Sequence, residues 1–596
     1  MAPRSSEMGF PRARTRKRGE RGCGRRRSLR PAWNVTAPTV TFTARRVALV
    51  LFLSLSFAAG ATLAHAQAEE VATLIQGTVE QLRATGGLQI EGARIASSKV
   101  LPEIYERRSF QRLWTKADAV RQLREAIAES GADGLDPRDY HHAEIEALAG
   151  RFDGGGADAA LLADLDVLLT DALIRLGYHV LFGKVDPEDL DPNWNLAREI
   201  DDRDPATVVG AIIEAGNIRE EIERRKPQQQ VYGRFKAALA RYRELQKAGG
   251  WKPVPAGPAL KLGMDDDRIA ALRRRLAVTG DLAAGSAVTN RFDEELLAAV
   301  KLFQSRHYLA ADGGVGSATI AALNVPVEDR IDQIRVNLER ARWLLHDLPR
   351  RFILVDIAGF QLALFRDGAP VWTTRVQVGK PFRKTPVFRS DIKYLVFNPT
   401  WTVPPGILTK DILPAVKRDA GYLSRKKLRV VDRHGKAIDP ATVAWSRYPG
   451  SPFPYQLVQG PGPDNALGRV KFIFPNPHLV FLHDTPSRSL FDQPERAFSS
   501  GCIRVEKPLE LAALLLQDSK DWNEARIGQV IESGETRTVF LPEPVPVLLL
   551  YWTIAVDDQG QVRFKKDFYD RDARVLKALN GQFRFRRRPI AGRSGL

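Results

Sequence analysis

The apolar residues of this chain change their spacing near residue 350, and this change limits the folds open to it. Before that point they recur every three or four positions, as in Glu69–Ala84, Ala157–Phe182 and Glu328–His346, which predicts amphipathic helices. Beyond it, short runs such as Gln361–Arg366 and Thr373–Val378 alternate or carry β-branched residues, which predicts strands. The sequence therefore predicts an α+β chain that is helical first and mainly β afterwards.

Turn-forming residues divide the helical part into two units. The segment Lys252–Pro258 (KPVPAGP) is rich in Pro and Gly and is typical of a linker between domains. Beyond it, helical spacing over Arg268–Leu276, Phe292–His307 and Ser317–Leu323 predicts a small unit of three helices. We therefore expect a larger helical unit before the linker and a smaller one after it.

The chain begins with a strongly basic segment followed by an apolar one. Residues 1–46 hold thirteen Lys and Arg residues and two Asp and Glu residues, so they carry most of the net charge of +18. A run such as Arg25–Arg27 often indicates nucleic-acid binding. Here it precedes the uncharged stretch Val47–Leu63 and two overlapping A-x-A sequences at residues 64–68, the pattern of a secretory signal. We expect export, no nucleic-acid partner, and a segment that is either cleaved or retained as a membrane anchor.

The chain has two cysteines, Cys23 and Cys502. Signal cleavage removes the first, so neither an intramolecular disulfide nor a Cys-rich zinc site is predicted in the mature chain. No H-E-x-x-H motif and no phosphate-binding loop occurs, and the adjacent His141 and His142 lack a third nearby ligand. The sequence thus predicts no metal and no cofactor. A lone thiol in an exported protein indicates either a reactive residue or a small buried apolar one.

The stretch His478–Pro508 holds residues that suit nucleophilic catalysis. Cys502 lies in the sequence SSGCIRV, and His483 precedes it by nineteen residues. A thiol is mostly protonated at neutral pH, so a paired imidazole would raise its reactivity strongly. Gly501 permits a tight turn beside the thiol, and the charge of Arg504 would lower the thiol pKa. Together these residues predict a Cys–His pair.

A second histidine, His478, lies five residues before His483. The residues between them, Leu479–Leu482, are predicted to form a strand. Side chains five positions apart on a strand point to opposite faces. We therefore predict His483 as the base.

Two parts of the sequence resemble domains of bacterial cell-wall enzymes. The string AVKLFQ…DGGVG…T…AL at residues 299–323 resembles the three-helix peptidoglycan-binding domain, and departs from it at Tyr308, where the family usually has Gly. The string SSGCIRV with its upstream His resembles the catalytic motif of the L,D-transpeptidases. The layout of the chain is similar to the large periplasmic subgroup of that family, which has scaffold, peptidoglycan-binding and capping regions. Asp484 stands where many smaller members have Gly, and Ser500 where others often have a second His.

The resemblance implies an order of domains in an α+β multidomain fold. A mostly helical N-terminal scaffold with a three-helix peptidoglycan-binding domain would be followed by a mainly β L,D-transpeptidase catalytic domain. The expected boundaries are 1–68 for the basic region and signal peptide or anchor, 69–255 for the helical scaffold, 265–324 for the peptidoglycan-binding domain, 326–349 for a further scaffold helix, 350–541 for the catalytic domain with a capping insertion at 404–445, and 542–596 for a C-terminal extension.

The resemblance also implies roles for individual residues. Cys502 would be the nucleophile and His483 the proton acceptor and donor, with the imidazole oriented by a backbone carbonyl in the turn after it. Backbone N–H groups around Gly501 and Cys502 would form the oxyanion hole. The remaining candidates are Ser499, Ser500 and Arg504 for the substrate pocket, and Trp401 and Phe481 as its apolar walls.

The activity implied by the resemblance is formation of 3→3 cross-links between tetrapeptide stems of peptidoglycan in the periplasm. The partners would be stem peptides and glycan, and other murein synthases, and carbapenems would acylate the same cysteine. Two alternatives remain open from the residues. In the first, Cys502 and His483 serve an L,D-carboxypeptidase or a cysteine peptidase. In the second, the chain is a non-catalytic peptidoglycan-binding protein.

Overall fold

The structure is a computed structural model that describes residues 44–154, 158–191, 194–196, 204–448, 452–517 and 521–582. The basic run Arg25–Arg27 and the basic tail after residue 582 lie outside these ranges. The chain divides into two units, residues 1–66 and 67–596, and the described elements, apart from the start of the first helix, lie in the second. Within the described residues, no helix has the length and apolar character needed to cross a membrane.

The N-terminal part is helical, as predicted. Its strands are β1 (Leu88–Ile90) and β2 (Ala93–Ile95), which pair antiparallel. Its helices are α1 (Ala44–Thr85), α2 (Val100–Glu106), α3 (Ala117–Glu129), α4 (His142–Asp153), α5 (Ala159–Phe182), α6 (Pro187–Leu190), α7 (Pro205–Ala215), α8 (Ile218–Arg225) and α9 (Gln230–Lys247).

Helix α5 is the central helix of this region. It begins at Asp158, whose carboxylate accepts the Leu161 N–H at 2.7 Å, an arrangement that stabilises a helix N-terminus. Most of its side chains are buried. Among them Asp171 contacts His141 Nε2 at 2.7 Å, so His141 contributes to the interior of the scaffold.

The predicted three-helix unit is present. Helices α10 (Arg268–Thr279), α11 (Glu294–Arg306) and α12 (Ser317–Leu323) enclose their own hydrophobic core. Tyr308, after α11, has a φ of 55°, the left-handed conformation that favours glycine. This explains why a glycine is usual at this position in the domain that the sequence resembles. Helix α13 (Val327–Leu344) then leads to the β domain.

The β domain opens with four strands, β3 (Arg351–Asp356), β4 (Gln361–Arg366), β5 (Ala369–Gly379) and β6 (Phe388–Phe397). Arg366–Gly368, whose sequence is typical of a hairpin turn, joins β4 to β5, and the two strands pair antiparallel. Phe352 of β3 and Trp343 of α13 belong to one continuous apolar core that also contains the scaffold helices. The scaffold and the β domain are therefore packed as a single hydrophobic body.

An insertion follows β6 and has its own core. Its elements are β7 (Trp401–Thr402), α14 (Pro405–Ile407), a π-helix (Leu408–Ile412), α15 (Leu413–Arg418), α16 (Tyr422–Arg425), β8 (Leu428–Val431), β9 (Ala437–Ile438) and β10 (Gln456–Gln459). The strands form a separate sheet in the order β7-β10-β8-β9. Because β7 and β10 lie outside the expected range 404–445, the structural unit is wider than the predicted insertion.

The remaining elements complete the main sheet. They are β11 (Val470–Ile473), β12 (Leu482–His483), β13 (Ala497–Ser499), β14 (Ile503–Val505), α17 (Pro508–Leu516), α18 (Glu524–Ser533) and β15 (Arg537–Leu550). The strand order is β13-β5-β14-β12-β11-β6-β15-β3-β4, and β4 pairs in turn with β5. This last pairing closes eight of the strands into a ring. The C-terminal extension adds β16 (Ile554–Val556), β17 (Val562–Phe564) and α19 (Asp572–Leu579).

Strand β15 crosses the boundary that was expected at residue 541. It pairs antiparallel with β6 and parallel with β3, so it joins two parts of the sheet that would otherwise be separate. Strand β15 therefore continues past the predicted boundary. The sequence Leu541–Pro546 (LPEPVP) contains three prolines, and Pro542 and Pro544 lie where the register with β6 shifts, between Phe540 and Val545.

The strand predicted at Leu479–Leu482 is shorter than expected, because β12 begins only at Leu482. Leu479 has a φ of 55°, which a strand residue does not adopt. The Asn476 side chain also bonds the backbone N–H and C=O of Val480, at 3.1 and 2.8 Å, and so holds residues 476–480 as a loop.

Replacing Leu549 by Ala should destabilise the β domain by about 2–5 kcal/mol, because the side chain is fully buried between β3 and β6. Phe540 lies on the same strand but is 71% exposed, so Phe540→Ala is the matched control and should change the stability by less than about 1 kcal/mol. Thermal and urea unfolding would measure both. Equal effects of the two substitutions would contradict the central position of β15.

Candidate active site

Two short parallel strands bring the predicted nucleophile and base together. In the pairing of β12 with β14, Leu482 lies opposite Ile503 and His483 opposite Arg504. Residues opposite each other, and residues two apart on one strand, share a face of a sheet. Cys502, His483 and Arg504 therefore lie on the same face.

The imidazole of His483 is fixed by the backbone of the next residue. Its Nδ1 lies within hydrogen-bonding distance of the Asp484 carbonyl oxygen. A carbonyl can only accept, so Nδ1 carries the proton and Nε2 is left as the basic nitrogen. Burial, with smaller contributions from the charges of Arg504 and Lys471, lowers the pKa of His483 to about 3. The ring is neutral at physiological pH and can accept a proton.

The side chain of Asp484 holds this peptide group in place. It is buried and accepts hydrogen bonds from the backbone N–H groups of Arg469, at 2.8 Å, and Thr485, at 2.7 Å, and from the guanidinium of Arg488. A glycine at position 484 would lack all three contacts. The aspartate therefore stabilises the turn whose carbonyl orients His483.

Cys502 is a protonated thiol in the resting site. Burial raises its pKa, and this outweighs the opposing effects of the Phe481 N–H and of the positive charges of Lys471 and Arg504. Sγ lies 3.8 Å from the carbonyl oxygen of Leu479, in a geometry that suits an S–H donor. The site thus pairs a neutral thiol with a neutral imidazole, and attack by sulfur requires transfer of the thiol proton.

Lys471 is a site residue that the sequence did not indicate. It lies opposite His483 in the pairing of β11 with β12, and its Nζ is 3.9 Å from the centre of the Phe481 ring. Burial lowers the pKa of Lys471, and the Cys502 thiolate opposes this change. No motif surrounds this lysine, which lies thirty-one residues before the cysteine in sequence. Only the pairing of β11 with β12 shows that it faces the thiol.

The turn before Cys502 is held by several hydrogen bonds. Gly501 has a φ of 119°, which explains the glycine at this position. Its N–H donates to Ser499 Oγ at 3.0 Å, and its carbonyl accepts from Thr385 Oγ1 at 2.8 Å. Tyr569, in the C-terminal extension, donates its hydroxyl to the Gly379 carbonyl at 2.6 Å and accepts the Thr385 N–H at 3.0 Å. Residues beyond the predicted catalytic domain therefore support the nucleophile turn.

These contacts change the expected roles of two residues. The N–H groups of Gly501 and Cys502 were expected to form the oxyanion hole. Because the Gly501 N–H donates to Ser499, the Cys502 N–H is the donor that remains for this role. Ser499 also donates its hydroxyl to the Cys502 carbonyl, so its contacts are with the turn itself.

Arg504 and Ser500, both expected in the substrate pocket, have different surroundings. Arg504 donates from Nη1 to Gln377 Oε1 at 3.2 Å, and burial lowers its pKa. Ser500 is exposed, and its Oγ accepts a hydrogen bond from Arg383 at 2.7 Å. Arg504 is thus bonded to the side chain opposite it on the neighbouring strand β5, whereas Ser500 and Arg383 are at the surface of the site.

The structure places the other sequence candidates as follows. Phe481 lies beside Lys471 on the face of the thiol. Trp401 packs partly against the core of the insertion, and no contact joins it to Cys502 or His483 among the described residues. The His478 ring packs against Phe388, with centroids 5.1 Å apart, away from the predicted pair. In the described part of the chain, no group of three or more His, Cys, Asp or Glu residues could hold a metal ion.

Comparison with known protein families identifies three domains. Residues 99–239 match the model described as "Scaffold domain", residues 265–323 the model described as "Putative peptidoglycan binding domain", and residues 350–536 the model described as "L,D-transpeptidase catalytic domain". The resemblance inferred from the sequence is confirmed, as is the predicted fold class. The Cys502–His483 pair lies within the third domain.

The chain is also similar to individual proteins. A Haemophilus influenzae protein named "Putative L,D-transpeptidase" is 37% identical over 223 residues, which cover 37% of this chain and 45% of that protein. The chain thus matches less than half of the length of this relative. Among solved structures, an L,D-transpeptidase from Stackebrandtia nassauensis is 14% identical, with 50% of this chain and 97% of that chain covered and a TM-score of 0.20. One from Mycobacterium smegmatis is 13% identical, with 34% and 58% covered and a TM-score of 0.17.

Replacing Lys471 by Met should raise the pKa of the Cys502 thiol, because the substitution removes a positive charge that favours the thiolate. The rate of alkylation of Cys502 by iodoacetamide, measured against pH, should shift to higher pH and be lower at pH 7. Lys393 on β6 is exposed, and Lys393→Met is the matched control. An unchanged profile in Lys471→Met would show that Lys471 does not act on the thiol.

His483 should remain neutral and protonated on Nδ1 between pH 8 and pH 5, because its pKa is lowered to about 3. Nuclear magnetic resonance of histidine-labelled protein would report both the tautomer and the titration, and the spectrum of His483→Gln would identify the signal. A signal that titrates near the ordinary imidazole value of about 6.5 would contradict this environment.

Proposed function

We propose that this protein is a peptidoglycan L,D-transpeptidase that forms 3→3 cross-links through an acyl-enzyme on Cys502. The observation that carries the proposal is the placement of Cys502 and His483 on one face of two paired strands, within residues 350–536, which match the L,D-transpeptidase catalytic domain. A neutral thiol beside a neutral, oriented imidazole suits acyl transfer.

The first half of the reaction is acylation. Sγ of Cys502 attacks the carbonyl carbon of the third residue of a tetrapeptide stem, at the L-centre of diaminopimelate, and the thiol proton passes to Nε2 of His483. The backbone N–H of Cys502 stabilises the oxyanion, and the charges of Lys471 and Arg504 favour the developing thiolate. The bond to the terminal D-Ala then breaks, and D-Ala leaves with the proton held by His483.

The second half resolves the thioester. The side-chain amine of diaminopimelate on a neighbouring stem attacks the acyl carbon and gives up a proton to Nε2 of His483. Collapse of the tetrahedral intermediate releases the cross-linked stems and returns the proton to Sγ. Water in place of the amine would give hydrolysis, and a free D-amino acid would give exchange.

The other domains fit action on a polymer. The three-helix unit matches a peptidoglycan-binding domain, and we propose that it holds the glycan strand while the catalytic domain acts on the stems. A peptidoglycan substrate implies a periplasmic location, which agrees with the secretory signal predicted from the sequence. Acylation by carbapenems and association with other murein synthases belong to the same proposal.

The test is mass spectrometry of purified tetrapeptide muropeptides after incubation with the protein. Wild-type protein should yield 3→3 dimers and free D-Ala, and Cys502→Ala should lower the yield by more than about 10³-fold, since it removes the nucleophile. His478→Gln is the matched control, because the His478 ring packs against Phe388, and this substitution should leave the yield unchanged. Thermal unfolding would confirm that the variants are folded.

Other outcomes would assign a different function. Shortened stems without dimers would indicate a carboxypeptidase. Unaltered muropeptides, together with no acylation of Cys502 by a carbapenem, would indicate a protein that only binds peptidoglycan. Dimers formed equally by Cys502→Ala would contradict the proposal.

A further inference from the structure

Arg383 connects the nucleophile turn to the insertion. It lies in the loop between β5 and β6, and its guanidinium has two partners. Nη1 donates to Ser500 Oγ at 2.7 Å, and Nη1 and Nη2 together bind the carboxylate of Asp411, with Nη2 to Oδ1 at 2.8 Å. Ser500 is two residues before the nucleophile. Asp411 lies in the π-helix of the insertion.

The loop that carries Arg383 is fixed relative to Cys502. The carbonyl of Arg383 approaches Gly379 so closely that a side chain at position 379 would overlap it. Two residues further on, the Thr385 hydroxyl bonds the Gly501 carbonyl. The same loop is tied to the nucleophile turn by backbone contact, since Lys380 N–H donates to the Ser499 carbonyl at 3.0 Å. The backbone position of Arg383 relative to the nucleophile turn is therefore fixed by contacts within the catalytic domain.

The partner of Arg383 comes from a unit with a separate core. The insertion encloses its own apolar cluster, so ion pairs such as Arg383–Asp411 contribute to its position over the sheet. The Asp411 side chain is 44% exposed, whereas that of Arg383 is 16% exposed. Asp411 would thus be solvated readily on leaving the pair, and Arg383 would stay in the site.

The geometry of the pair is that of arginine bound to a free carboxylate. A planar guanidinium that binds both oxygens of one carboxylate is the usual mode of carboxylate recognition by arginine. Asp411 thus takes the place that a carboxylate of a bound peptide would occupy. Lys380 lies three residues before Arg383 in the same loop and adds positive charge to it.

We propose that Arg383 binds a carboxylate of the donor stem peptide, and that Asp411 occupies the same guanidinium in the free protein until the substrate displaces it. This inference rests on the proposed function and adds a specificity residue to it. Exchange of one carboxylate for another leaves Arg383 paired in both states, so its charge is never left unpaired in the site. Release of Asp411 also removes one contact between the insertion and Arg383.

The experiment compares kinetics of D-Ala release by the full-length protein from two tetrapeptide donors. One donor has free carboxylates, and the other has all of these carboxylates amidated. Asp411→Asn should lower KM for the free donor about fivefold, because it removes the competing carboxylate. Arg383→Gln should raise this KM about tenfold and abolish the preference for the free donor, and Arg383→Lys should restore part of that preference.

Two controls and a double substitution make the test specific. Asp464→Asn and Arg425→Gln remove charges from other ion pairs of the same region, Lys427–Asp464 and Arg425–Asp419, and should leave KM unchanged. Asp411→Asn should have no effect on KM in the Arg383→Gln background, because the competition no longer exists.

The outcomes separate this inference from the proposed function. In one outcome, Asp411→Asn and Arg383→Gln both release D-Ala and form dimers with the KM of the wild-type protein. This result would overturn the role of Arg383 and leave the transpeptidase assignment intact. Equal KM values of wild-type protein for the two donors would overturn it as well. Absence of D-Ala release and of acyl-enzyme from the wild-type protein would contradict the proposed function, and the inference would fall with it.

Discussion

The pairing of two very short parallel strands is the contact on which the site depends. Strand β12 has two residues and β14 has three, so their own hydrogen bonds hold them only weakly. Their positions follow from the flanking strands, β11 on one side and β5 on the other. The closed ring of strands and the core shared with the scaffold helices keep these neighbours in register. The relative position of the Cys502 thiol and the His483 imidazole therefore depends on the whole sheet.

Burial determines the chemistry of the pair. It raises the pKa of Cys502 and lowers that of His483, so both groups are neutral before substrate binds. The positive charges of Lys471 and Arg504 oppose the rise in the pKa of Cys502, because positive charge favours a thiolate. The same charges add to the fall in the pKa of His483, because positive charge disfavours an imidazolium. This arrangement keeps the thiol unreactive in the free protein and stabilises the thiolate when the proton moves to Nε2.

The sequence predicted those features that depend on local patterns. The three helices of the small domain follow from apolar spacing, and Ser317–Leu323 has the same limits in the sequence and in the structure. The hairpin at Arg366–Gly368 follows from its turn residues. The glycine before the cysteine and the carbonyl that orients His483 were also expected. The strand at Leu479–Leu482 was predicted too long, because the Asn476 side chain competes for the backbone of Val480. Strand β15 continues past the predicted end of the β domain at residue 541, and Pro542 and Pro544 lie at a shift in its register.

By itself the sequence predicted the order of the domains and a nucleophile with its base, because both predictions rest on residues close together along the chain or on a recognisable motif. Only the tertiary structure decided which other groups share the site. Lys471 faces the thiol because β11 pairs with β12, Arg383 reaches Ser500 because its loop folds back onto β5, and Tyr569 supports the nucleophile turn from far along the chain. These contacts join residues separated by tens to hundreds of positions. Their spacing in sequence carries no pattern, since it is the closure of the sheet that brings them together.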